Sequence, residues 1–252
     1  MSSRAEIGGP ARLAARWRRL GLAVLIACAG GVPPPPAVEA HEARQLEDEF
    51  LKGAFSPAFE PPAVGTYELP VIKRVPGFLL WDSTGRRVST QTVMARKVAV
   101  VSFIYTACPE RLGCPLASLA LRDLQSRLRA EGLGREAVLL SISFDPGRDT
   151  PAQLTKYARI YDADPTIWRF MTAQSERALG RVLESYGQDR APTYDERGRF
   201  TGRYRHVLKV FLVDRYGQIC NVYSAGFLVP ELVVNDIKTV LGESRPVAVP
   251  GR

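Results

Sequence analysis

The stretch from Lys97 to Tyr105, Lys-Val-Ala-Val-Val-Ser-Phe-Ile-Tyr, is the strongest constraint on how this chain folds. It is a near-continuous apolar run rich in β-branched and aromatic residues. A strand of that kind is buried on both faces, which places it at the centre of a sheet with helices packed on either side. It empties into Cys108, and Cys114 stands directly before Pro115, where a run of leucines at helical spacing begins (Leu116, Leu119, Leu121, Leu124 and Leu128). Both cysteines therefore belong to a strand-to-helix bend.

The rest of the chain organises around that strand. Phe78 to Trp81 and Arg87 to Ser89 flank a turn at Asp82–Gly85 and read as a hairpin. Val138 to Phe144 is a second buried strand. Asp149-Thr150-Pro151 starts a helix that runs to about Tyr161, with a capping side chain ahead of a proline at the first helical position. Trp168 to Met171 reads as a short strand and Ser175 to Tyr186 as a helix. Gly187 to Tyr204 is polar and rich in glycine and arginine, and reads as an insertion or loop. His206 to Val213 and Gln218 to Tyr223 flank the turn Asp214–Gly217 as an antiparallel hairpin, and Pro230 to Leu241 closes with a helix. A parallel βαβ core followed by a hairpin and a last helix is the thioredoxin order. The expected fold class is therefore α/β, with a central mixed sheet, flanking helices and an N-terminal β-hairpin.

The formal net charge of +8 suggests nucleic acid, but its placement excludes that class. Arg4, Arg12, Arg16, Arg18 and Arg19 against Glu6 put half of the excess into the first 28 residues, and no basic run elsewhere follows a phosphate backbone. Arginines ahead of the apolar stretch Leu20 to Val32 instead form an export signal, too short to span a bilayer, which takes about 20 residues. Two processing routes fit. Leu25-Ile26-Ala27-Cys28 resembles a bacterial lipoprotein box, which makes residues 1–28 the signal and Cys28 the site of lipid attachment. Alternatively, cleavage after Val38-Glu39-Ala40 leaves His41 as the first residue. Residues 29–76, with Pro33 to Pro36 and five further prolines between Ser56 and Pro76, read as a tether and extended lead-in. Residues 77–242 form the folded domain and 243–252 a tail.

Export sets how the cysteines are read. With Cys28 in the signal, Cys108, Cys114 and Cys220 remain, an odd number that suggests one working pair and one bystander. Free backbone N–H groups and the helix dipole at the start of a helix stabilise an anionic sulfur, which serves redox and metal chemistry equally. Pro109 and Gly113 suit a loop that folds both sulfurs to one point; a plain structural disulfide is the bland alternative. His206, one of only two histidines, opens the strand expected to end beside this bend. Two thiolates and an imidazole make a soft set that suits copper, Cu(I) above all. Cys220 falls across its hairpin from about Phe211 and is set aside, and nothing pairs with His41.

Tyr105-Thr106-Ala107-Cys108-Pro109…Cys114-Pro115, Ser143-Phe144-Asp145-Pro146-Gly147-Arg148-Asp149-Thr150-Pro151, and His206 leading into Phe211-Leu212-Val213-Asp214…Gly217 together resemble the Sco/SenC family of thioredoxin-like copper chaperones. The resemblance implies one copper ion per chain, held by Cys108, Cys114 and His206, with Asp145 as a nearby outer residue. It implies a role in assembling the CuA site of cytochrome c oxidase, with an oxidase subunit or another copper enzyme as client and an envelope thiol reductant as partner. It places the chain in the bacterial cell envelope, on the periplasmic side, held to the membrane by its lipid or N-terminal anchor. The spacing here is C-x5-C-P where the family has C-x3-C-P, which loosens the sulfur geometry. The competing class is a thiol–disulfide oxidoreductase that reduces client cysteines, with Cys108 and Cys114 as redox pair and no metal in its cycle. A peroxiredoxin-like peroxidase fits worse, because Arg111 stands where a hydroxyl residue is needed three positions before Cys114.

Overall fold

The computed structural model describes residues 59–242. The expected signal, Cys28, the proline spacer, His41 and the tail lie outside the described residues. Among those described, no helix is long and apolar enough to cross a membrane.

Ten strands are described: β1 (Lys73–Arg74), β2 (Leu79–Asp82), β3 (Arg87–Ser89), β4 (Val98–Ile104), β5 (Ala137–Ser143), β6 (Trp168–Thr172), β7 (Arg190–Tyr194), β8 (Phe200–His206), β9 (Val210–Val213) and β10 (Gln218–Tyr223). Helices are α1 (Thr90–Val93), α2 (Cys114–Ala130), α3 (Pro151–Ile160), α4 (Glu176–Tyr186) and α5 (Pro230–Gly242). Eight strands form one sheet in the order β1-β10-β9-β4-β5-β6-β2-β3. β4, β5 and β6 are parallel, and the strands outside them run antiparallel. This is the mixed α/β sheet expected of a thioredoxin-like fold. Every residue of β4 and of β5 is buried, as the continuous apolar runs require when both faces carry helices. Their few polar atoms are paired: the Ser102 and Ser141 hydroxyls meet at 2.8 Å, and Trp168 Nε1 donates to Ser141 Oγ.

Helix starts follow the expected chemistry. Thr150 caps α3 by accepting from the Gln153 N–H, with Pro151 as the first helical residue, and Ser175 caps α4 by accepting from Ala178. On α2 the leucines at 116, 119, 121, 124 and 128 are all buried.

Four expectations need correction. The polar segment after Gly187 is no loop: β7 and β8 pair as a separate two-stranded ribbon. Along β8, Gly202 and Tyr204 are buried while Thr201, Arg203 and Arg205 are exposed, a strand alternation hidden because one inward position is a glycine. Second, His206 does not open the strand of Val213. It closes β8, and β9 begins only at Val210. Third, Cys220 does not face Phe211. The β9–β10 register shifts between Ile219 and Asn221, so Phe211 pairs with Val222 and Cys220 falls at the irregularity. Fourth, the sheet begins before Phe78. β1 pairs with β10, Val75 is buried, and Tyr67 and Gly65 donate to Asp236 and Thr239 of α5.

One turn chemistry recurs three times. Asp82, Asp195 and Asp214 each accept two backbone N–H groups on Oδ1, from the residues two and four further on, at 2.9–3.0 Å. Each is followed three positions later by a glycine at φ between +73° and +82°. Asparagine aside, only glycine occupies that left-handed position without strain. The Asp195–Gly198 turn folds β7 onto β8.

Candidate metal centre

Three segments deliver the site. β4 ends at Ile104, and the chain turns so that the Cys108 N–H bonds the Tyr105 carbonyl. The five intervening residues then fold back. Gly113 N–H bonds the Glu110 carbonyl at 2.9 Å, and Cys114 becomes the first residue of α2. A Cβ at Gly113 would stand 3.2 Å from the Glu110 carbonyl oxygen, a tight approach that glycine relieves. The third segment is the ribbon, which brings in His206 from 92 residues away.

The two sulfurs and a ring nitrogen of His206 all lie within 4.8 Å of one another, with Cys114 Sγ 4.0 Å from His206 Nε2. Cys114 is buried, Cys108 and His206 partly so, and the described cysteines are free thiols. The cluster is the group the spacing and the hairpin order pointed to, although the imidazole arrives on a different strand.

The two sulfurs differ electrostatically. Cys108 is held down at about 4, first by the hydrogen bond from the Cys114 thiol, against the cost of burial, and then by His206 and the Cys114 backbone N–H. Burial pushes Cys114 well above the ordinary thiol value, and the neighbouring Cys108 charge adds to it. One thiolate and one thiol share the site at neutral pH. Burial, and next the Cys108 charge, raise the Tyr105 phenol alongside.

Aromatic rings seat the imidazole. Its ring lies 4.8 Å from Phe144 and 6.0 Å from Tyr105, both edge-on. Arg190, directly opposite His206 in the ribbon ladder, donates to the Phe144 carbonyl, pairs with Glu176 of α4 and lies 4.5 Å over the Tyr204 ring. Asp145 stands outside the triad: Oδ1 accepts from the Tyr204 hydroxyl at 3.3 Å, and Oδ2 lies 3.8 Å from Arg148 Nε. Its link to the site runs through Tyr204, two residues before His206.

Sequence reasoning missed Asp149 as a tether and Arg190 as the ribbon's anchor. Asp149 is fully buried and accepts from Thr106 N–H (3.0 Å), Thr106 Oγ1 (2.6 Å) and Ser143 Oγ (2.6 Å), so it ties the approach to Cys108 to the end of β5. Its carboxyl is raised, chiefly by burial, with the three donors opposing. An acid just ahead of a Thr-Pro helix start reads as capping chemistry, which concealed this role. For Arg190, the Asp-x-x-Gly turn five residues on was the available signal.

Donor chemistry fits a soft ion: two sulfurs, one already a thiolate, and one imidazole, with no carboxylate among the three. The family model for SCO1/SenC matches residues 71–242. A SCO1 protein homolog of Bacillus subtilis is 26% identical over 171 residues, covering 68% of this chain and 84% of that protein. A Stutzerimonas stutzeri relative named for copper binding is 31% identical over 133 residues, 53% of this chain and 61% of its own. The solved structure of BsSco, a member of the Sco family of cytochrome c oxidase assembly proteins in which a disulfide switch was identified, is 26% identical. It covers 68% of this chain and 95% of that one, with a TM-score of 0.55.

Proposed function

The chain belongs to the SCO1/SenC family, and from that footing we propose that it is a copper metallochaperone. It carries one Cu(I) ion on Cys108, Cys114 and His206 and assists assembly of a copper site, that of CuA in cytochrome c oxidase or of another copper enzyme. The observation that carries this reading is the convergence of two sulfurs and an imidazole from three separate segments to within 4.8 Å. The Stutzerimonas relative named for copper binding supports the same metal.

The residues divide the work. Cys108 offers a standing thiolate at the half-open side of the site. Cys114, kept protonated by burial, releases its proton when the cation arrives, so loading liberates protons and grows tighter as pH rises. Phe144 and Tyr105 hold the imidazole edge-on, and Arg190 fixes the ribbon that carries it. We place the chain in the bacterial envelope, on the periplasmic side, held at the membrane through Cys28 or an N-terminal anchor.

A second reading rests on the unequal sulfurs. An accessible thiolate beside a buried thiol can attack a client disulfide; Cys114 then displaces the mixed disulfide. The client gains two electrons, one proton from the Cys114 thiol and one from solvent, and a Cys108–Cys114 disulfide remains for an envelope thiol to reduce. The two readings are compatible, because the pair must be reduced before copper binds.

Reduced full chain titrated with Cu(I) against a competing chelator tests the first reading. We expect one copper per chain, and for His206→Ala a retention at least tenfold weaker. Parent chain that surrenders all copper to the chelator while still reducing a disulfide peptide would leave only the oxidoreductase.

A further inference from the structure

Tyr105 stands where the parts of the site meet. It is the first residue after β4, and its carbonyl accepts from the Cys108 N–H at 3.2 Å. Its own N–H bonds towards the Cys114 sulfur, opposing the burial that raises that thiol. Its ring is held on three sides, tilted against Phe144 at 5.1 Å and edge-on to Tyr204 at 5.5 Å and His206 at 6.0 Å. Only 1% of the residue is exposed.

The hydroxyl at the end of that ring is the anomaly. It is buried and has no hydrogen-bond partner among the described residues. A buried polar group in that position costs stability, and phenylalanine would give the same ring packing without it. Burial raises the phenol, and the groups that bear on it next are the Cys108 sulfur, the Tyr204 backbone N–H and the Cys114 sulfur. A phenol donates one hydrogen bond. Of these groups only the Cys108 sulfur is an anion able to receive it, since Cys114 keeps its proton.

We propose that the Tyr105 hydroxyl is a positioning group for Cys108: it donates to that sulfur in the reduced pair, and so biases Cys108 and Cys114 towards the dithiol form that accepts copper. In the bonded state Cys108 turns about its one side-chain torsion to receive the hydroxyl. In the disulfide the sulfur is neutral and a weak acceptor, so the hydroxyl is again without a partner. The oxidised form keeps a cost that the reduced form removes. This role is separate from the ring's contact with His206, which phenylalanine preserves. The inference rests on the reading of Cys108 and Cys114 as a working pair and deepens it, and it requires no metal.

The test compares metal-free full chain, parent and Tyr105→Phe, in two measurements. The first is equilibration of the pair in dithiothreitol buffers. Two electrons pass to the protein disulfide, Cys114 takes one proton, and dithiothreitol closes to its cyclic disulfide while its second proton goes to solvent. A hydrogen bond to an anionic sulfur is worth on the order of tenfold in this equilibrium. Tyr105→Phe should therefore be harder to reduce by about tenfold, which is about 30 mV for a two-electron couple. The second is the rate at which iodoacetamide alkylates Cys108 in reduced chain at neutral pH, where that sulfur is already charged. A thiolate freed of its donor is more nucleophilic, and a tenfold rise in its basicity gives a rate about threefold higher. The variant should melt no lower than the parent, because it loses only an unpartnered group. A variant with the parent's reduction equilibrium or the parent's alkylation rate overturns the proposal, and a lower melting temperature with both unchanged marks the hydroxyl as structural. If the parent forms no disulfide, the oxidoreductase reading falls, and the alkylation rate still decides the hydrogen bond.

Discussion

Removing the Asp149 carboxyl separates a positioning role from a charge. Asp149 accepts three hydrogen bonds in a site with no solvent, two from Thr106 and one from Ser143. Asp149→Ala strands the Thr106 N–H, which cannot turn elsewhere, and two hydroxyls, which can. A buried donor left without a partner costs about 1–3 kcal/mol. With the hydroxyls partly recovering, the total comes to about 3 kcal/mol. For a domain of this size that lowers Tm by about 6–12 °C.

Asp149→Asn behaves differently. Placed with its oxygen where Oδ2 stands, the amide still accepts from Thr106 N–H and Ser143, and its NH2 donates to Thr106 Oγ1. It also carries no buried charge. Burial raises the folded carboxyl above its unfolded value of 3.8, so the native state binds the proton more readily. The penalty is absent below the unfolded value, grows as pH climbs towards the folded one, and is complete at neutral pH. Asn escapes it, so Asp149→Asn should melt within about 1 kcal/mol of the parent, with its relative stability improving from acid towards neutral pH. Thermal unfolding of all three proteins across that range is the assay, with copper retention alongside, since Thr106 leads into Cys108. An alanine variant that melts with the parent, or an asparagine variant that falls as far as alanine, refutes the reasoning.

Three other outcomes are expected. Arg190→Met keeps the stem over Tyr204 but loses the Phe144 carbonyl and Glu176. Copper stoichiometry should stay at one while chelator competition shows weaker retention, about tenfold for each 1.4 kcal/mol lost; unchanged retention would mean that the ring contacts alone seat His206. Gly202→Ala meets φ +78° and brings a Cβ to 2.6 Å from Arg148 Nη2, a movable group. A loss of about 1–2 kcal/mol from the left-handed backbone, seen as a lower Tm, is expected. The Arg129 guanidinium, 2.6 Å from Asp164, holds that carboxyl at about 2. Its small contribution, about 0.5 kcal/mol for a pair this exposed, is present above the unfolded value of 3.8 and lost as pH falls through 2. Arg129→Met should move the Asp164 titration, followed by NMR, back towards 3.8.

The three Asp-x-x-Gly turns show where reading a sequence succeeds and where it stops. Asp82–Gly85 and Asp214–Gly217 are flanked by apolar alternation and are legible as hairpins. Asp195–Gly198 makes the same hydrogen bonds, yet its flanks are arginines, threonines and a glycine, so the ribbon escapes notice. Its inward face, Tyr204 and His206, packs on the separate elements that carry Phe144 and Tyr105. No local pattern records a partner that far away.

Local chemistry alone settled the central strands, the helix starts at Pro115 and Thr150, and the place of both cysteines at the helix entrance. Those depend on apolar periodicity, on capping groups and on proline's missing N–H, all properties of neighbouring residues. Tertiary structure decided which strand carries His206, that Arg190 and Asp149 hold the site together, and that one sulfur is charged while the other is not. The first two depend on segments far apart in the chain meeting, and the third on how deeply each sulfur is buried once they have packed; a linear order of residues encodes neither.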